Sequence, residues 1–220
     1  MTEDTTRRTD WTIVVSYYLI WLGSSLLAGK TAYLSSYTMA GLDTIMLIAI
    51  FWRSKELKRP IDINLLKGVG WGLIAWGAVL LVMLGIKALT NNTVGSSNTG
   101  LILHMMRKQW LYTIYIVIVA PLLEEIVFRQ CLYRRIDTWM TQHWPGMLPK
   151  AQFIAAALVV AAALVVALSF VAMHGDTSLW EYALISLVLQ GLYQRYGDLR
   201  VSMAAHLVFN LTTLIVLTCL

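Results

Sequence analysis

The 220-residue chain is 58% hydrophobic and only 13% charged, with a net charge of +5. Soluble domains carry about a quarter Asp, Glu, Lys and Arg, so this chain has too few charges to cover a globular surface. It is also far too apolar to be disordered. Most basic residues lie between apolar runs, which is typical of cytoplasmic loops and not of nucleic-acid binding. The composition therefore predicts an all-α, polytopic protein in a lipid bilayer, with no nucleic-acid partner.

Seven apolar stretches approach the length of about 20 residues that a membrane-crossing helix needs. In chain order they are Trp11–Ala28, Ala32–Trp52, Leu66–Leu89, Gln109–Leu132, Phe153–Met173, Leu179–Gln194 and Val201–Leu217. We expect a helical bundle of about seven transmembrane helices in one domain over residues 1–220. Its motif-bearing core would be about 109–217, with accessory helices over about 11–89. A polar, flexible loop is expected at Thr90–Gly100, followed by a short interfacial helix at Leu101–Lys108.

The distribution of basic residues predicts the orientation of the chain in the membrane. Twelve Lys and Arg residues lie in the N-terminus and the loops on its side, and four lie on the opposite side. Lys and Arg accumulate in cytoplasmic loops. We therefore expect a cell-membrane protein with its N-terminus in the cytoplasm and its C-terminus outside.

The fourth span contains three charged residues, Glu124, Glu125 and Arg129, in the sequence PLLEEIVFRQ. An unpaired charge at mid-helix costs about 2.5–3.5 kcal/mol, so pairing, water or function must offset this set. Glu125 and Arg129 are four residues apart and can form an ion pair on one helix face. Glu124 lies about 100° round the helix from Glu125. Pro121 frees the carbonyl of Val117, which favours a kink beside the carboxylates.

Two further spans carry polar residues at helical spacing. The fifth ends in FVAMH, where Phe170 and His174 are four residues apart, and the seventh contains HLVFN, where His206 and Asn210 have the same spacing. Residues four apart share a helix face. If these faces meet Glu124 in a bundle, they would form one water-accessible polar pocket. Such a set can take a proton from water and donate hydrogen bonds to a developing oxyanion.

The patterns EEIVFR, FVAMH and HLVFN match, in this order, the motifs EExxxR, FxxxH and HxxxN. With them the chain resembles the CAAX protease and bacteriocin-processing (CPBP) family of intramembrane glutamic endopeptidases, which includes the type II CAAX prenyl endopeptidases. The resemblance covers roughly Leu111–Asn210. It implies a membrane-embedded endopeptidase that cuts a prenylated protein, a pheromone or a bacteriocin-like peptide entering the membrane cavity.

The resemblance also implies a role for each motif residue. Glu124 would be the general base that activates water, assisted by His174, while His206 and Asn210 would stabilise the tetrahedral oxyanion. Residues that shape, pack or charge-balance the pocket would be Glu125, Arg129 and Phe170.

Several alternatives stay open at the level of the residues. Two histidines and two carboxylates could ligate zinc and acidify a bound water, but HExxH is absent and Asn210 is a poor zinc ligand. A metal-free reaction without a cofactor is therefore favoured, with zinc second. The Glu125–Arg129 pair could be purely structural, and Asp43 in the second span is better explained as a polar helix contact than as a direct participant. The alternative function is a non-enzymatic bacteriocin-immunity or partner-binding membrane protein on the same scaffold.

Overall fold

The structure, a computed structural model, describes residues 3–28, 32–54, 57, 60, 62–90, 97–144, 150, 153–158, 160–161 and 179–219. All regular secondary structure in these ranges is helical, which confirms the all-α prediction. The longer helices are α1 (Glu3–Ala28), α2 (Ala32–Arg53), α3 (Ile63–Thr90), α4 (Ser97–Lys108), α5 (Trp110–His143), α6 (Leu179–Tyr196) and α7 (Leu199–Cys219).

Within the described ranges, four helices are long and apolar enough to cross a bilayer. They contain the segments Leu34–Arg53, Ile63–Gly85, Trp110–His143 and Leu199–Cys219. Many of their large apolar side chains are exposed on the protein surface, as lipid-facing residues are. The structure thus supports a membrane protein with four candidate spans. Most of the predicted fifth span, Phe153–Met173, lies outside the described residues, although 153–158 are helical.

One compact unit comprises Met1–Pro60 and Ile114–Val159. In it, α1 packs against α2 and against the second half of α5, while α2 also contacts the first half of α5. Tyr17 of α1 meets the ring of Phe128 edge to face, with centroids 5.9 Å apart. Near the start of α1, the buried Asp10 carboxylate accepts hydrogen bonds from Arg134 at 2.9 Å and from Arg135 at 2.5 Å. These contacts fix the beginning of α1 beside the later turns of α5.

The second compact unit comprises Ile61–Thr113 and Val160–Leu220. In it, α7 packs along α3 and α6. A Cβ atom on Gly68 would come within 2.5 Å of the Val201 carbonyl oxygen, and one on Gly72 within 2.5 Å of the Ala205 carbonyl oxygen. Small residues four apart allow membrane helices to approach this closely. The apolar core beside this contact consists of Ala75, Ile185, Leu189, Leu192, Val201 and Ala205.

A two-residue turn joins α6 to α7 in this second unit. Gly197 has φ +61°, a conformation that glycine adopts without steric cost. Asp198 then accepts a hydrogen bond from the backbone N–H of Arg200 at 3.0 Å, as residues at the start of a helix commonly do. The Arg200 guanidinium also binds Asp198 at 2.8 Å and Asp62 at 2.6 Å. The turn and the ion pairs hold the start of α7 beside the start of α3.

Two expectations about helix boundaries were wrong. The polar segment Thr90–Gly100 is not a loop throughout, because Thr90 belongs to α3 and α4 already begins at Ser97. Serine and asparagine are favoured at helix starts, where their side chains can accept hydrogen bonds from free N–H groups. The fourth span, expected to end at Leu132, continues as one helix to His143. Its last ten residues are polar and amphipathic, so hydropathy alone ended it too early.

Candidate active site

Helix α5 departs from regular α-helical geometry on both sides of the two glutamates. Tyr115–Val119 and Ile126–Tyr133 form wider π-type turns, and the α-helical segment Ala120–Glu125 lies between them. Pro121 stands at the start of that middle segment and has no N–H to donate to the preceding turn. The helix nevertheless continues past it. The widened turns therefore change which side chains share a face close to Glu124, and such turns are common at functional sites.

Glu125 and Arg129 form the ion pair that their spacing predicts. The distance from Arg129 Nη1 to Glu125 Oε1 is 3.2 Å, and the two residues are 2% and 0% exposed. The Arg129 guanidinium also lies 6.0 Å from the centre of the Phe128 ring. Each charge therefore offsets much of the cost of burying the other, a balance that requires this close geometry.

Glu124 lies in a different environment from its neighbour Glu125. It is partly exposed, whereas Glu125 is completely buried. The helices packed beside α5 in this unit are α1, which carries Tyr17, and α2, which carries Asp43. A carboxylate with some access to its surroundings can meet a water molecule or a substrate, which a general base must do.

Asp43 is a buried acid in the same unit. It is 1% exposed, and its Oδ2 accepts a hydrogen bond of 2.9 Å from the Tyr115 hydroxyl. This bond joins α2 to α5 and is a polar helix contact of the kind expected for Asp43. The sequence did not predict the hydrogen bond of Tyr115 with Asp43, because tyrosines within an apolar span are typical of packing. Only the pairing of α2 with α5 brings the two side chains together.

His206 and Asn210 occupy consecutive turns of α7, in the second unit. His206 is buried at 8% exposure and Asn210 is half-buried. Ala205, directly before His206, forms the close contact with Gly72 described above. The backbone of α3 therefore fixes the position of the turn that carries the imidazole. An imidazole N–H and a carboxamide NH₂ are both hydrogen-bond donors, and together they could stabilise one negatively charged oxygen.

The remaining predicted residues, Phe170 and His174, lie outside the described residues. The structure thus groups Glu124, Glu125 and Arg129 on α5, and His206 with Asn210 on α7. Among the His, Cys, Asp and Glu side chains that it describes, no three form a group that could hold a metal ion. One candidate zinc ligand, His174, lies outside these residues, so the zinc alternative is tested by adding chelators to the peptidase assay.

Part of the chain matches the model of a known protein family. Residues 106–212 match the family model described as type II CAAX prenyl endopeptidase Rce1-like. The matched range contains all three sequence motifs, from Glu124 to Asn210. Neither a curated protein nor a solved structure matches the chain significantly.

Proposed function

We propose that the chain is a membrane endopeptidase of the glutamic type, because residues 106–212 match the family model described as type II CAAX prenyl endopeptidase Rce1-like. The family match supports the resemblance that the three motifs indicate, and a match to a protease family supports peptidase activity. The proposal adds the chemistry: a peptide bond is hydrolysed by water that Glu124 activates, without a metal or other cofactor.

The proposed reaction uses four side chains. Glu124, assisted by His174, accepts a proton from water while the water oxygen bonds to the scissile carbonyl carbon. The carbonyl electron pair moves onto its oxygen, and His206 and Asn210 donate hydrogen bonds to that oxyanion. When the tetrahedral intermediate collapses, the C–N bond breaks and the proton held by Glu124 passes to the leaving amine. Water thus supplies OH to the new carboxylic acid and H to the new amine.

The observation that carries this proposal is the contrast between two adjacent glutamates. Glu125 is fully buried and paired with Arg129 at 3.2 Å, so its charge is engaged in holding the helix segment. Glu124 is partly exposed and lies on a different side of the same turn. This contrast favours Glu124 as the base and Glu125 with Arg129 as its support.

The substrate class follows from the family and is part of the proposal. We propose a peptide or protein that reaches the site from the bilayer, such as a prenylated protein, a pheromone or a bacteriocin-like peptide. Two probes separate these classes: a farnesylated peptide ending in a CAAX sequence, and the same peptide without the lipid. Cleavage of the first alone indicates a prenyl-protein substrate, and equal cleavage of both indicates that the lipid is not required.

The test of the mechanism is Glu124→Gln in protein reconstituted into lipid vesicles, with product measured by mass spectrometry. Loss of the base should lower the rate by about 10²–10⁴-fold. Asp137→Asn makes the same chemical change roughly 20 Å further along α5 and should keep near-normal activity. Cleavage by Glu124→Gln at the wild-type rate would refute the glutamic mechanism.

The non-enzymatic alternative makes a different prediction. An immunity or partner-binding protein would keep its protective effect on cells after substitution of Glu124 and His206, because no bond has to be broken. If protection survives those substitutions and no probe is cleaved, the binding role replaces the proposed hydrolysis.

We also propose about seven spans in a single domain over residues 1–220, with the N-terminus in the cytoplasm and the C-terminus outside. Two ion pairs support one part of this topology, because each joins helix ends that it places on the same side of the membrane: Asp10 with Arg134, and Asp62 with Arg200. Cys219 is an exposed free thiol near the C-terminus, while Cys131 is buried. A membrane-impermeant maleimide should therefore label Cys219 from outside intact cells that express the protein. Labelling only after the membrane is opened would contradict the orientation.

A further inference from the structure

We propose that Gln190 of α6 binds the backbone of the peptide substrate, with its carboxamide pairing to one peptide group near the carbonyl assigned above to His206 and Asn210. The inference deepens the proposed function and rests on it, since it takes the chain to be a peptidase. It gives a role to a buried polar residue that lies outside the three motifs.

The Gln190 side chain is buried without a hydrogen bond. The residue is 2% exposed, and neither its carboxamide nitrogen nor its carboxamide oxygen has a hydrogen-bond partner among the residues that the structure describes. A buried amide in this state carries a free-energy cost that the rest of the fold must offset. Because buried polar groups in native proteins are nearly always paired, Gln190 marks a position where a ligand can supply the partner.

Gln190 and His206 lie at nearly the same height in the hairpin of α6 and α7. Gln190 is six residues before the last residue of α6, and His206 is seven residues after the first residue of α7. In two antiparallel helices joined by a two-residue turn, these positions differ by about 1.5 Å along the axis. The packing agrees with this register, because Leu189 and Ala205, the residues directly before the two, belong to the same core cluster.

The two side chains also lie on the same face of this hairpin. The residues of α7 that approach the glycines of α3 are Val201, Ala204, Ala205 and Val208. At about 100° per residue, His206 lies roughly 150° round the helix from the middle of that contact. Leu189 and Ala205 face one core, and the next residue on each helix turns toward the same side, since the helices run in opposite directions. Gln190 therefore lies with His206 on the side of the hairpin away from α3.

A peptide group is the ligand that this side chain fits. The carboxamide has an NH₂ donor and a carbonyl acceptor, and a peptide group offers the complementary carbonyl and N–H. A ligand with acceptors alone, such as a phosphate, would leave the Gln190 oxygen unpaired, and a hydrocarbon chain would leave both groups unpaired. His206 is itself buried at 8% exposure, so a substrate that reaches its imidazole enters the interior at the height of Gln190.

The first test compares peptide cleavage and stability in the wild type, Gln190→Met and the control Gln194→Met. Loss of two hydrogen bonds to the substrate should lower kcat/KM for the farnesylated CAAX-type peptide by about tenfold. The midpoint of unfolding in SDS should stay in place or rise, because an apolar side chain of similar length removes two unpaired buried groups. Gln194 is exposed on the same helix, so its variant should change neither quantity.

Two results of this comparison would overturn the proposal. A value of kcat/KM equal to that of the wild type in Gln190→Met would show that the carboxamide does not meet the substrate. A lower unfolding midpoint together with lower activity would show that the carboxamide supports the fold, for example by holding an internal water molecule.

A second test identifies the hydrogen bond from the side of the substrate. Each peptide bond of the probe other than the scissile one is replaced in turn by an ester, which removes one N–H donor. In the wild type, one of these esters should lower kcat/KM by about threefold to tenfold, and in Gln190→Met the same ester should have no further effect. Ester effects of equal size in the two proteins would show that Gln190 accepts no hydrogen bond from the substrate.

Binding measured without cleavage separates this inference from the proposed function. The Kd of a dye-labelled probe peptide is compared in vesicles between Glu124→Gln and the double variant that also carries Gln190→Met, which should bind about tenfold more weakly. If the wild type cleaves no probe while this difference is present, the peptidase proposal fails and Gln190 still binds peptide. If the wild type cleaves the probe and the two Kd values are equal, the hydrolysis stands and the proposal for Gln190 is wrong.

Discussion

Replacing Arg129 by Met would leave the Glu125 carboxylate buried without its cationic partner. The two groups are 3.2 Å apart and their side chains are 3% and 0% exposed. At an effective dielectric constant of about 20, their attraction is about 5 kcal/mol, and removing one partner of a buried pair typically costs about 3–5 kcal/mol. We therefore expect Arg129→Met to lower the free energy of unfolding by about 3–5 kcal/mol.

The assay is unfolding by SDS in mixed micelles, followed by tryptophan fluorescence. Arg107→Met makes the same substitution at an exposed position of α4 and should change the free energy of unfolding by no more than about 0.5 kcal/mol. The double variant Glu125→Gln with Arg129→Met removes both charges and should regain most of the loss. A cost below about 1 kcal/mol for Arg129→Met, or one equal to that of the control, would refute the reasoning about this pair.

Three further predictions concern packing, pH and metal. Gly72→Ala places a Cβ 2.5 Å from a backbone oxygen of α7, so it should lower the free energy of unfolding by about 1–3 kcal/mol and lower peptidase activity. The control Gly70→Ala places a Cβ with nothing within 4 Å and should change neither quantity. Hydrogen bonds from Arg200 hold the pKa values of Asp62 and Asp198 below their usual range. Their contribution to stability is therefore complete at neutral pH and is lost as pH falls through the lowered pKa values. In Arg200→Gln, the thermal unfolding temperature should lose this dependence on acid pH. A pH dependence equal to that of the wild type would contradict the prediction. Chelators should leave peptide cleavage intact, and a loss that zinc restores would transfer water activation to the metal.

Much of the fold could be predicted from hydropathy, because a bilayer demands long apolar helices. The helices Ala32–Arg53 and Ile63–Thr90 lie within a few residues of the predicted second and third spans. Hydropathy did not predict helix ends that lie in polar sequence. Helix α5 continues through polar residues to His143, and α4 begins among polar residues at Ser97. A helix end depends on hydrogen bonding and packing at the terminus, which the mean polarity of a segment does not report.

The site could be predicted only in part for a related reason. The spacing of Glu125 and Arg129 is a local property of one helix, and it correctly predicted their ion pair. The contact of Asp43 with Tyr115 spans 72 residues of sequence, and it depends on which faces of α2 and α5 meet. The close approach at Gly72 likewise depends on the pairing of α3 with α7. No periodicity within one helix contains that information.

The central proposal is that Glu124 and His206, carried by different helices, serve the same hydrolytic reaction. A double-mutant cycle tests this most directly, with the cleavage rate of a farnesylated CAAX-type peptide measured for Glu124→Gln, His206→Ala and the double variant. Residues of one catalytic unit are strongly non-additive, so the double variant should be about as slow as the slower single variant. Rate losses that multiply, or a single variant that keeps wild-type activity, would contradict the account.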